Sequence, residues 1–417
     1  MILIKNGTLA DGERDILIDG EAIKAIDTKI EPPKGTEVID ATGKWVTPGF
    51  IDLHVHLREP GFEKKETIAS GTKAAIAGGF TAVCCMPNTK PVNDSKEVTT
   101  YILEKAREAG QAKVFPLGAV TKNLEDEEMA PLTALYNAGC VGFSNDGRPV
   151  KSPALMRRAL EWAKDLGLRI HCHEEVESLV NGGVMNESAL SLKLGLRGVP
   201  AIAEEIMIAR DIELARATGG KVHFCHVSTA RGVELIRRAK NDGIDVTAEV
   251  TPHHLFLTEE AVDGYNTLAK VAPPLRSKED CEALLAGLVD GTIDVVASDH
   301  APHEADSKLT VMDSAANGLI GLQSTLPLMI QCVKEGKLLR KRLEEVLASV
   351  PAKIINQDLG TLAVGKAADI CIINPDKTWE YTEETILSKS KNTPFLGRKM
   401  QGCVEMVFVN GRKCLSL

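Results

Sequence analysis

Apolar and polar residues alternate over short stretches at both ends of the chain, whereas the middle carries longer apolar runs. The N-terminal stretches MILIKNG, DILIDGEAIKAI and EVIDATGKWV are separated by Asn-Gly or Asp-Gly turns, which is typical of β-hairpins. The segment from about Leu362 onward repeats this pattern in ADICIINP and VEMVFVNGRKCLSL. We therefore predict a small β-sandwich built from both termini, with residues 1–48 and 361–417 as its two parts.

Residues 49–360 alternate between predicted strands and predicted helices. The strands are GFIDLHV, TAVCCMP, KVFPLGAV, CVGFSN, LRIHCH, KVHFCHV, DVTAEVTP and DVVASDH. Buried strands that alternate with helices, most of which end on glycine, predict an α/β fold with a (β/α)8 TIM-like barrel. A doubly wound open sheet is the alternative, but its usual G-x-G-x-x-G or Walker A turn is not found.

The composition excludes several classes of function. The net charge of the 417 residues is −9 and no basic block occurs, which argues against nucleic-acid binding because phosphate needs a positive face. No apolar run approaches the roughly 18–20 residues of a membrane-spanning helix, and the N-terminus lacks a signal-peptide core. The ten cysteines are scattered without a C-x-x-C pair, which predicts buried free thiols and a cytoplasmic location.

All ten histidines fall into five close pairs. A single pair is more often packing than a site, but five pairs with none left over favour a site. The pairs are His54/His56, His171/His173, His223/His226, His253/His254 and His300/His303.

Metal-ligand and polar side chains follow the predicted strands at their carboxyl ends, which meet at one mouth in a barrel. They are His54 and His56 on the first strand, Asn88 after the second, Asp146 on the fourth, His173 on the fifth, His226 on the sixth and Asp299 on the eighth. His173 and His226 are chosen within their pairs because they lie nearer the strand ends. Local sequence alone would assign Asp146 to a turn, and only its place after the fourth strand makes it a candidate ligand.

Alternation along a strand lets His54 and His56 face the same side. Two imidazoles and a carboxylate form a usual catalytic zinc site. Four candidate histidines and two carboxylates are too many for one tetrahedral ion and suit two ions that share a bridging carboxylate. Nitrogen and oxygen ligands favour Zn²⁺, with Mn²⁺ or Co²⁺ as alternatives.

The chain carries GFIDLHVHLREPG, MPNTKPVND, GFSNDG, HVST, TPHHL, APPLR and ASDHAPH. Together these motifs closely resemble the dihydroorotase family of the amidohydrolase superfamily, in its longer bacterial and archaeal form. The resemblance covers essentially the whole chain and implies the reversible, zinc-dependent closure of N-carbamoyl-L-aspartate to L-dihydroorotate in pyrimidine synthesis.

The resemblance also implies two zinc ions and a bound substrate carboxylate. The residues implied are His54 and His56 on one zinc, with Asp299 completing the coordination of that ion, His173 and His226 on the other zinc, Asp146 bridging the two, and Arg58, Asn88 and His303 on the carboxylate. Ring opening needs an activated hydroxide, a polarised carbonyl and an acid for the leaving nitrogen, so Asp299 is expected to act as the proton shuttle. The planar fork of Arg58 suits bidentate binding of a carboxylate.

Three features depart from the family pattern. No lysine ends the fourth strand, where many relatives carry a carboxylated lysine, so Asp146 is expected to bridge instead. Ala272 stands where many relatives have asparagine, and Gln323 replaces a common glutamate. The polar loop 303–318 is predicted beside the mouth, where a lid and an ordinary connection are equally compatible with its sequence.

Two other functions compete with this interpretation. An allantoinase or hydantoinase would share the metal set, but it would lack the residues for a carboxylate and would normally use the bridging lysine. A non-catalytic dihydroorotase-like partner of aspartate transcarbamoylase would be expected to have lost metal ligands, and here all six candidates are intact. Expected partners are the small-molecule substrate, a second copy of the chain and aspartate transcarbamoylase, with no nucleic acid or membrane.

Overall fold

The computed structural model describes residues 1–416. It is an α/β fold in which parallel sheets occupy the middle of the chain and a mostly antiparallel sheet contains both ends. The strands are β1 (Ile2–Leu9), β2 (Gly12–Asp19), β3 (Ala22–Asp27), β4 (Glu37–Asp40), β5 (Trp45–Pro48), β6 (Phe50–Val55), β7 (Phe80–Cys85), β8 (Lys113–Pro116), β9 (Gly118–Ala119), β10 (Phe143–Ser144), β11 (Arg169–Cys172), β12 (Met185–Asn186), β13 (Gly198–Val199), β14 (Lys221–Phe224), β15 (Val246–Val250), β16 (Val295–Val296), β17 (Ile370–Glu380), β18 (Lys399–Val409) and β19 (Arg412–Ser416).

The antiparallel sheet joins the two ends of the chain. Its order is β19-β18-β17-β5-β1-β2-β3, with β4 paired to β1. The junction lies between β5 and β17, where Val46 is opposite Ile372. Val46 and Ile372 share a buried core with Ile4, Ile18 and Phe408. Hydrogen bonds connect these strands as one eight-stranded sheet, so its folding over into a sandwich stays a prediction.

The parallel strands follow one another in chain order. One sheet contains β6-β7-β8, and the next contains β9-β10-β11-β14-β15-β16, with β8 and β9 lying in the same segment, residues 113–119. A parallel bridge between Val55 and His300 connects β6 to the residues after β16. The backbone N–H of His56 also donates to the carbonyl of His300 at 2.9 Å. Every strand predicted in the middle of the chain is present in its predicted segment.

Helices separate most of the parallel strands and begin at polar residues that cap them. The side chain of Ser95 accepts from the N–H of Val98, and that of Ser277 accepts from the N–H of Asp280. The helices are α1 (Ile68–Ala77), α2 (Lys96–Ala109), α3 (Leu132–Ala138), α4 (Pro153–Asp165), α5 (Glu177–Val180), α6 (Ala189–Leu194), α7 (Ile202–Thr218), α8 (Ala230–Asn241), α9 (Pro252–Phe256), α10 (Lys278–Asp290), α11 (Leu322–Lys334), α12 (Arg340–Glu344) and α13 (Val350–Ile354). Among the described residues, none of these helices combines the length and apolarity needed to cross a membrane.

Candidate active site

The structure brings together all six side chains that the sequence predicts as metal ligands. Each follows or ends a different parallel strand, except His54 and His56, which share the end of β6. All six are at most 7% exposed, and they are His54, His56, Asp146, His173, His226 and Asp299. The distances among them, given below, define one buried cluster at the carboxyl ends of the strands.

Asp146 lies between the histidines. Its Oδ1 atom is 3.3 Å from Nε2 of His54, 3.5 Å from Nε2 of His226 and 3.6 Å from Nδ1 of His173. Its Oδ2 atom is 3.5 Å from Nε2 of His56. Among the described residues this carboxylate accepts no hydrogen bond from a backbone N–H, so the turn role suggested by the local sequence receives no support.

Asp299 contacts the two histidines of β6. Its Oδ1 atom lies 3.2 Å from Nε2 of His56 and 3.5 Å from Nε2 of His54. The backbone at Asp299 has a φ of 45°, a left-handed conformation that a non-glycine residue seldom adopts. The carboxylate is therefore placed at the cluster by an unusual turn after β16.

The geometry of the cluster fits a cation. Nε2 of His54 and Oδ1 of Asp146 are both buried without a hydrogen-bond partner, which is uncommon for polar atoms in protein interiors. Two ligands bound about 2.1 Å from a tetrahedral zinc lie about 3.4 Å apart, and the cluster shows contacts of 3.2–3.6 Å. Two groups drawn from these six residues have one ligand atom of each member within 4.8 Å of the others, namely His54/Asp146/His226 and His54/His56/Asp299.

The charges of the cluster stabilise one another. Burial acts to lower the pKa of His54, but the carboxylates of Asp146 and Glu249 outweigh it and raise that pKa well above its usual value. Burial acts to raise the pKa of Asp146, but His54 and His173 hold it well below its usual range. A bound metal would replace the histidine proton in this arrangement, because a ligand imidazole must be neutral.

Glu249 contacts two histidines of the cluster, His54 and His226, and it was not predicted from the sequence. Its Oε1 atom is 2.7 Å from Nδ1 of His54 and accepts the backbone N–H of His226 at 3.1 Å. Its Oε2 atom is 3.0 Å from Nε2 of His223. A carboxylate on Nδ1 leaves Nε2 of His54 as the ligand atom, an arrangement typical of metal-binding histidines. The only sequence signal was a carboxylate, Glu249, between apolar residues in the middle of the predicted strand DVTAEVTP.

The choice within each histidine pair agrees with the distances. His173 and His226 touch each other, with Nδ1 of the first 3.0 Å from Nε2 of the second. His171 and His223 lie deeper in the strands, and their ring centroids are 4.8 Å apart. His223 is bound by Thr247 and Glu249, so it is not free to act as a ligand at the cluster.

The predicted substrate residues lie beside the cluster but differ in their contacts. A terminal nitrogen of Arg58 is 3.4 Å from Nε2 of His303. The side chain of Asn88, in contrast, binds two residues of the cluster. Its Oδ1 is 2.9 Å from Nδ1 of His56, and its Nδ2 donates to Oδ2 of Asp146 at 3.3 Å. In this structure Asn88 therefore orients His56 and Asp146.

A cavity of about 280 Å³ opens over these residues. This volume is close to the lower end, about 300 Å³, of typical small-molecule sites. The lining residues are His56, Arg58, Asn88, Asp146, Gly147, His173, Glu175, His226, Ala272, Asp299, Ala301, His303, Asn317 and Gly318. Ala272 and the end of loop 303–318 thus reach the cavity.

Loop 303–318 is fixed to its neighbours by two buried lysines. Nζ of Lys308 donates to the carbonyls of Thr267, Lys270 and Ala316 at 2.6–3.1 Å. Nζ of Lys270 donates back to the carbonyl of Met312 at 2.7 Å. Because these ammonium groups bind backbone carbonyls of the opposite segment, the loop is held against residues 267–270 in this structure.

Gln323 lies away from the cavity. Its Nε2 donates to the carbonyl of Thr385 at 2.9 Å, and its Oε1 accepts the N–H of Leu387 at 2.6 Å. This position joins α11 to the segment after β17. The glutamine therefore has a structural role here, and it touches no residue of the cluster.

Comparisons with known proteins agree with the motifs. A family model described as "Dihydro-orotase-like" matches residues 43–232. A dihydroorotase from Anaeromyxobacter dehalogenans strain 2CP-C is 49% identical over 404 residues, which is 96% of this chain and 93% of the relative. A dihydroorotase from Geotalea daltonii is 48% identical over 417 residues, 99% of this chain and 98% of the relative.

Solved structures of cyclic-amide hydrolases share the fold. An L-hydantoinase from Arthrobacter aurescens matches with a TM-score of 0.90 and 28% identity, covering 100% of this chain and 96% of that one. A dihydropyrimidinase from Brevibacillus agri matches with a TM-score of 0.86 and 25% identity, covering 99% of this chain and 95% of that one.

Proposed function

The chain belongs to the dihydroorotase family, and from this premise we propose that it catalyses the reversible closure of N-carbamoyl-L-aspartate to L-dihydroorotate in pyrimidine synthesis. One observation carries the proposal: a buried cluster of histidines and aspartates centred on Asp146 lies under a cavity that Arg58 and His303 line. A metal-binding cluster of this kind is suited to hydrolysing a cyclic amide. The guanidinium of Arg58 beside it is suited to binding a substrate that bears a carboxylate.

We propose that the parallel strands form a (β/α)8 barrel over residues 49–360. The order of β6 to β16 and the bridge between Val55 and His300 support closure of the strands into a ring. Residues 1–48 and 361–417 would form the second domain, as a β-sandwich. The hydantoinase and dihydropyrimidinase structures that match the whole chain support this α/β architecture.

We propose that the cluster binds two Zn²⁺ ions. His54, His56 and Asp299 would hold one ion, His173 and His226 the other, and Asp146 would bridge them. The short contacts of Asp146 to all four histidines support its place between the ions. When bound, the two ions would lower the pKa of a water molecule and polarise the ring carbonyl.

Asp299 is suited to move the proton in the reaction. Burial acts to raise the pKa of Asp299, but the neighbouring His54 and His56 outweigh it and lower that pKa, which keeps the group a carboxylate. The carboxylate would take the proton from the attacking water and return it to the ring nitrogen as the amide bond breaks. In the direction of ring closure the same group would carry the proton the opposite way.

The activity test compares ring substrates on the zinc-loaded protein. We expect turnover of dihydroorotate and N-carbamoyl-L-aspartate, and little or none of hydantoin or allantoin, because only the first two carry the carboxylate that Arg58 would bind. The initial rates of ring opening and closure are the measurements. Hydrolysis of hydantoin or allantoin without hydrolysis of dihydroorotate would overturn the proposal, and no turnover of any substrate would favour a non-catalytic subunit.

Replacing Arg58 with methionine is expected to raise the KM for dihydroorotate about 10–100-fold, the range expected for losing a charge-assisted carboxylate contact. Methionine keeps most of the side-chain volume but cannot bind a carboxylate. Steady-state kinetics measure the change, with Arg107→Met, an exposed arginine on α2, as the control. An unchanged KM in the Arg58 variant would remove this residue from the substrate site.

We further propose a cytoplasmic enzyme, since all ten cysteines are free thiols, as expected in a reducing compartment. A homodimer and a complex with aspartate transcarbamoylase stay predictions from the family resemblance.

A further inference from the structure

A second cation lies behind the predicted carboxylate site and has no part in the motif assignments. Lys65 follows Arg58 in the loop between β6 and α1, and its Nζ atom is 3.4 Å from Nδ1 of His303. On the other side of the same imidazole, Arg58 is 3.4 Å from Nε2. The ring of His303 is thus placed between two cationic side chains.

The loop holds Lys65 in this place. The N–H of Phe62 donates to the carbonyl of Arg58 at 2.9 Å, and the N–H of Lys65 donates to the carbonyl of Phe62 at 2.8 Å. The Nζ atom lies 5.3 Å from the centroid of the Phe62 ring, within the range of a cation–π contact. The hydroxyl of Ser390 donates to the carbonyl of Lys65 at 2.6 Å, which fixes the loop to the C-terminal segment.

The two cations have no carboxylate partner of their own. Neither Arg58 nor Lys65 forms a salt bridge of 4.0 Å or less within residues 1–416. Both side chains are partly buried, which makes an unneutralised charge costly. Burial accordingly lowers the pKa of Arg58 to about 10 and lowers that of Lys65. A site where two cations converge and neither has a salt-bridge partner is complementary to an anionic ligand.

The two cations compete for the imidazole of His303. Ammonium and guanidinium groups only donate hydrogen bonds, and a neutral imidazole has one acceptor nitrogen, so His303 can accept from Lys65 at Nδ1 or from Arg58 at Nε2 but not from both at once. The cation that does not donate to the ring keeps an N–H group that can donate to a bound carboxylate.

We infer that Lys65 is a positioning residue for the substrate carboxylate, and that it favours carboxylate-bearing rings over neutral rings of the same shape. The inference rests on the proposed function. Lys65 acts by adding positive charge behind the carboxylate site and by competing with Arg58 for the imidazole of His303. Among the described residues its Nζ atom contacts His303 and the ring of Phe62, not the six residues of the metal cluster.

The test uses the zinc-loaded full chain and the variants Lys65→Met, Lys65→Arg and Lys64→Met. Lys64 is the adjacent, exposed lysine and serves as the matched control. We expect Lys65→Met to raise the KM for dihydroorotate about tenfold, which corresponds to about 1.4 kcal/mol, with kcat changed less than about twofold. Lys65→Arg should recover most of this loss, and Lys64→Met should match the unmodified chain.

A ligand without a carboxylate distinguishes a loss of carboxylate binding from general damage to the site in Lys65→Met. The inhibition constant of 5,6-dihydrouracil, the same ring without the carboxylate, should be unchanged in Lys65→Met. An unchanged KM in Lys65→Met, or an equal weakening of dihydroorotate and dihydrouracil, would overturn the inference. Failure of the unmodified chain to turn over dihydroorotate would instead overturn the proposed function, so the two failures are distinguishable.

Discussion

Asp299→Asn is expected to lower kcat for dihydroorotate by about 10³-fold or more while zinc content stays close to that of the unmodified chain. The amide of asparagine has nearly the shape of the carboxylate, so His54 and His56 keep a neighbour at the distances seen here, 3.5 and 3.2 Å. It cannot take a proton from water, however, or return one to the leaving nitrogen. If the variant keeps its zinc but loses turnover, the loss is therefore due to proton transfer and not to metal binding.

The test measures the rates of ring opening and closure for the Asp299→Asn variant, together with its zinc content by mass spectrometry. Asp306→Asn, an exposed carboxylate in the loop after His303, is the matched control and should behave like the unmodified chain. A fully active Asp299→Asn variant would remove the proton-shuttle role. Loss of about one zinc in this variant would show that its main contribution is to bind metal.

Asp146→Ala is expected to bind about one zinc fewer per chain than the unmodified protein and to lose nearly all activity. Alanine removes the one carboxylate that lies within 3.6 Å of all four candidate histidines. Without it, the two halves of the cluster share no ligand, and a bridging carboxylate is what suits the site to two ions. Zinc stoichiometry after equilibrium dialysis is the deciding measurement.

Asp146→Asn provides the companion variant, because it keeps the volume and the contact with Asn88 but weakens metal bridging. We expect its zinc content to lie between those of the alanine variant and the unmodified chain. If the alanine variant retains all of its zinc, Asp146 does not bridge and belongs to the turn after β10.

The candidate ligands at the ends of the parallel strands could be predicted from the sequence. The residue that contacts them from within a strand, Glu249, could not. His173 and His226 could be chosen over His171 and His223 because position within a strand decides which side chain reaches its carboxyl end. Glu249 was missed because the contacts that explain it cross from β15 to His54, some 195 residues earlier. No local pattern reports such a pairing.

Lys65 was missed for a related reason. Its sequence neighbours Lys64 and Glu66 make it resemble a surface charge, and only the fold places it against His303, 238 residues away. The fold itself was more accessible, because each strand of the middle segment follows from its own apolar run. Whether hydrogen bonds join the terminal strands into one sheet or two depends on pairings between distant segments, which apolar alternation does not encode.

The pairing of β5 with β17 has a consequence for how the chain matures on the ribosome. Trp45 lies opposite Ile373, so the terminal sheet depends on contacts between residues more than 300 positions apart. Such contacts pay a large loop-closure entropy and form late. β1 to β4 can pair with one another as they leave the exit tunnel, but the edge of β5 that faces β17 stays unpaired until nearly the whole chain has been synthesised. During that interval the open edge of β5 is a site for edge-to-edge aggregation, from which chaperones would have to protect the chain.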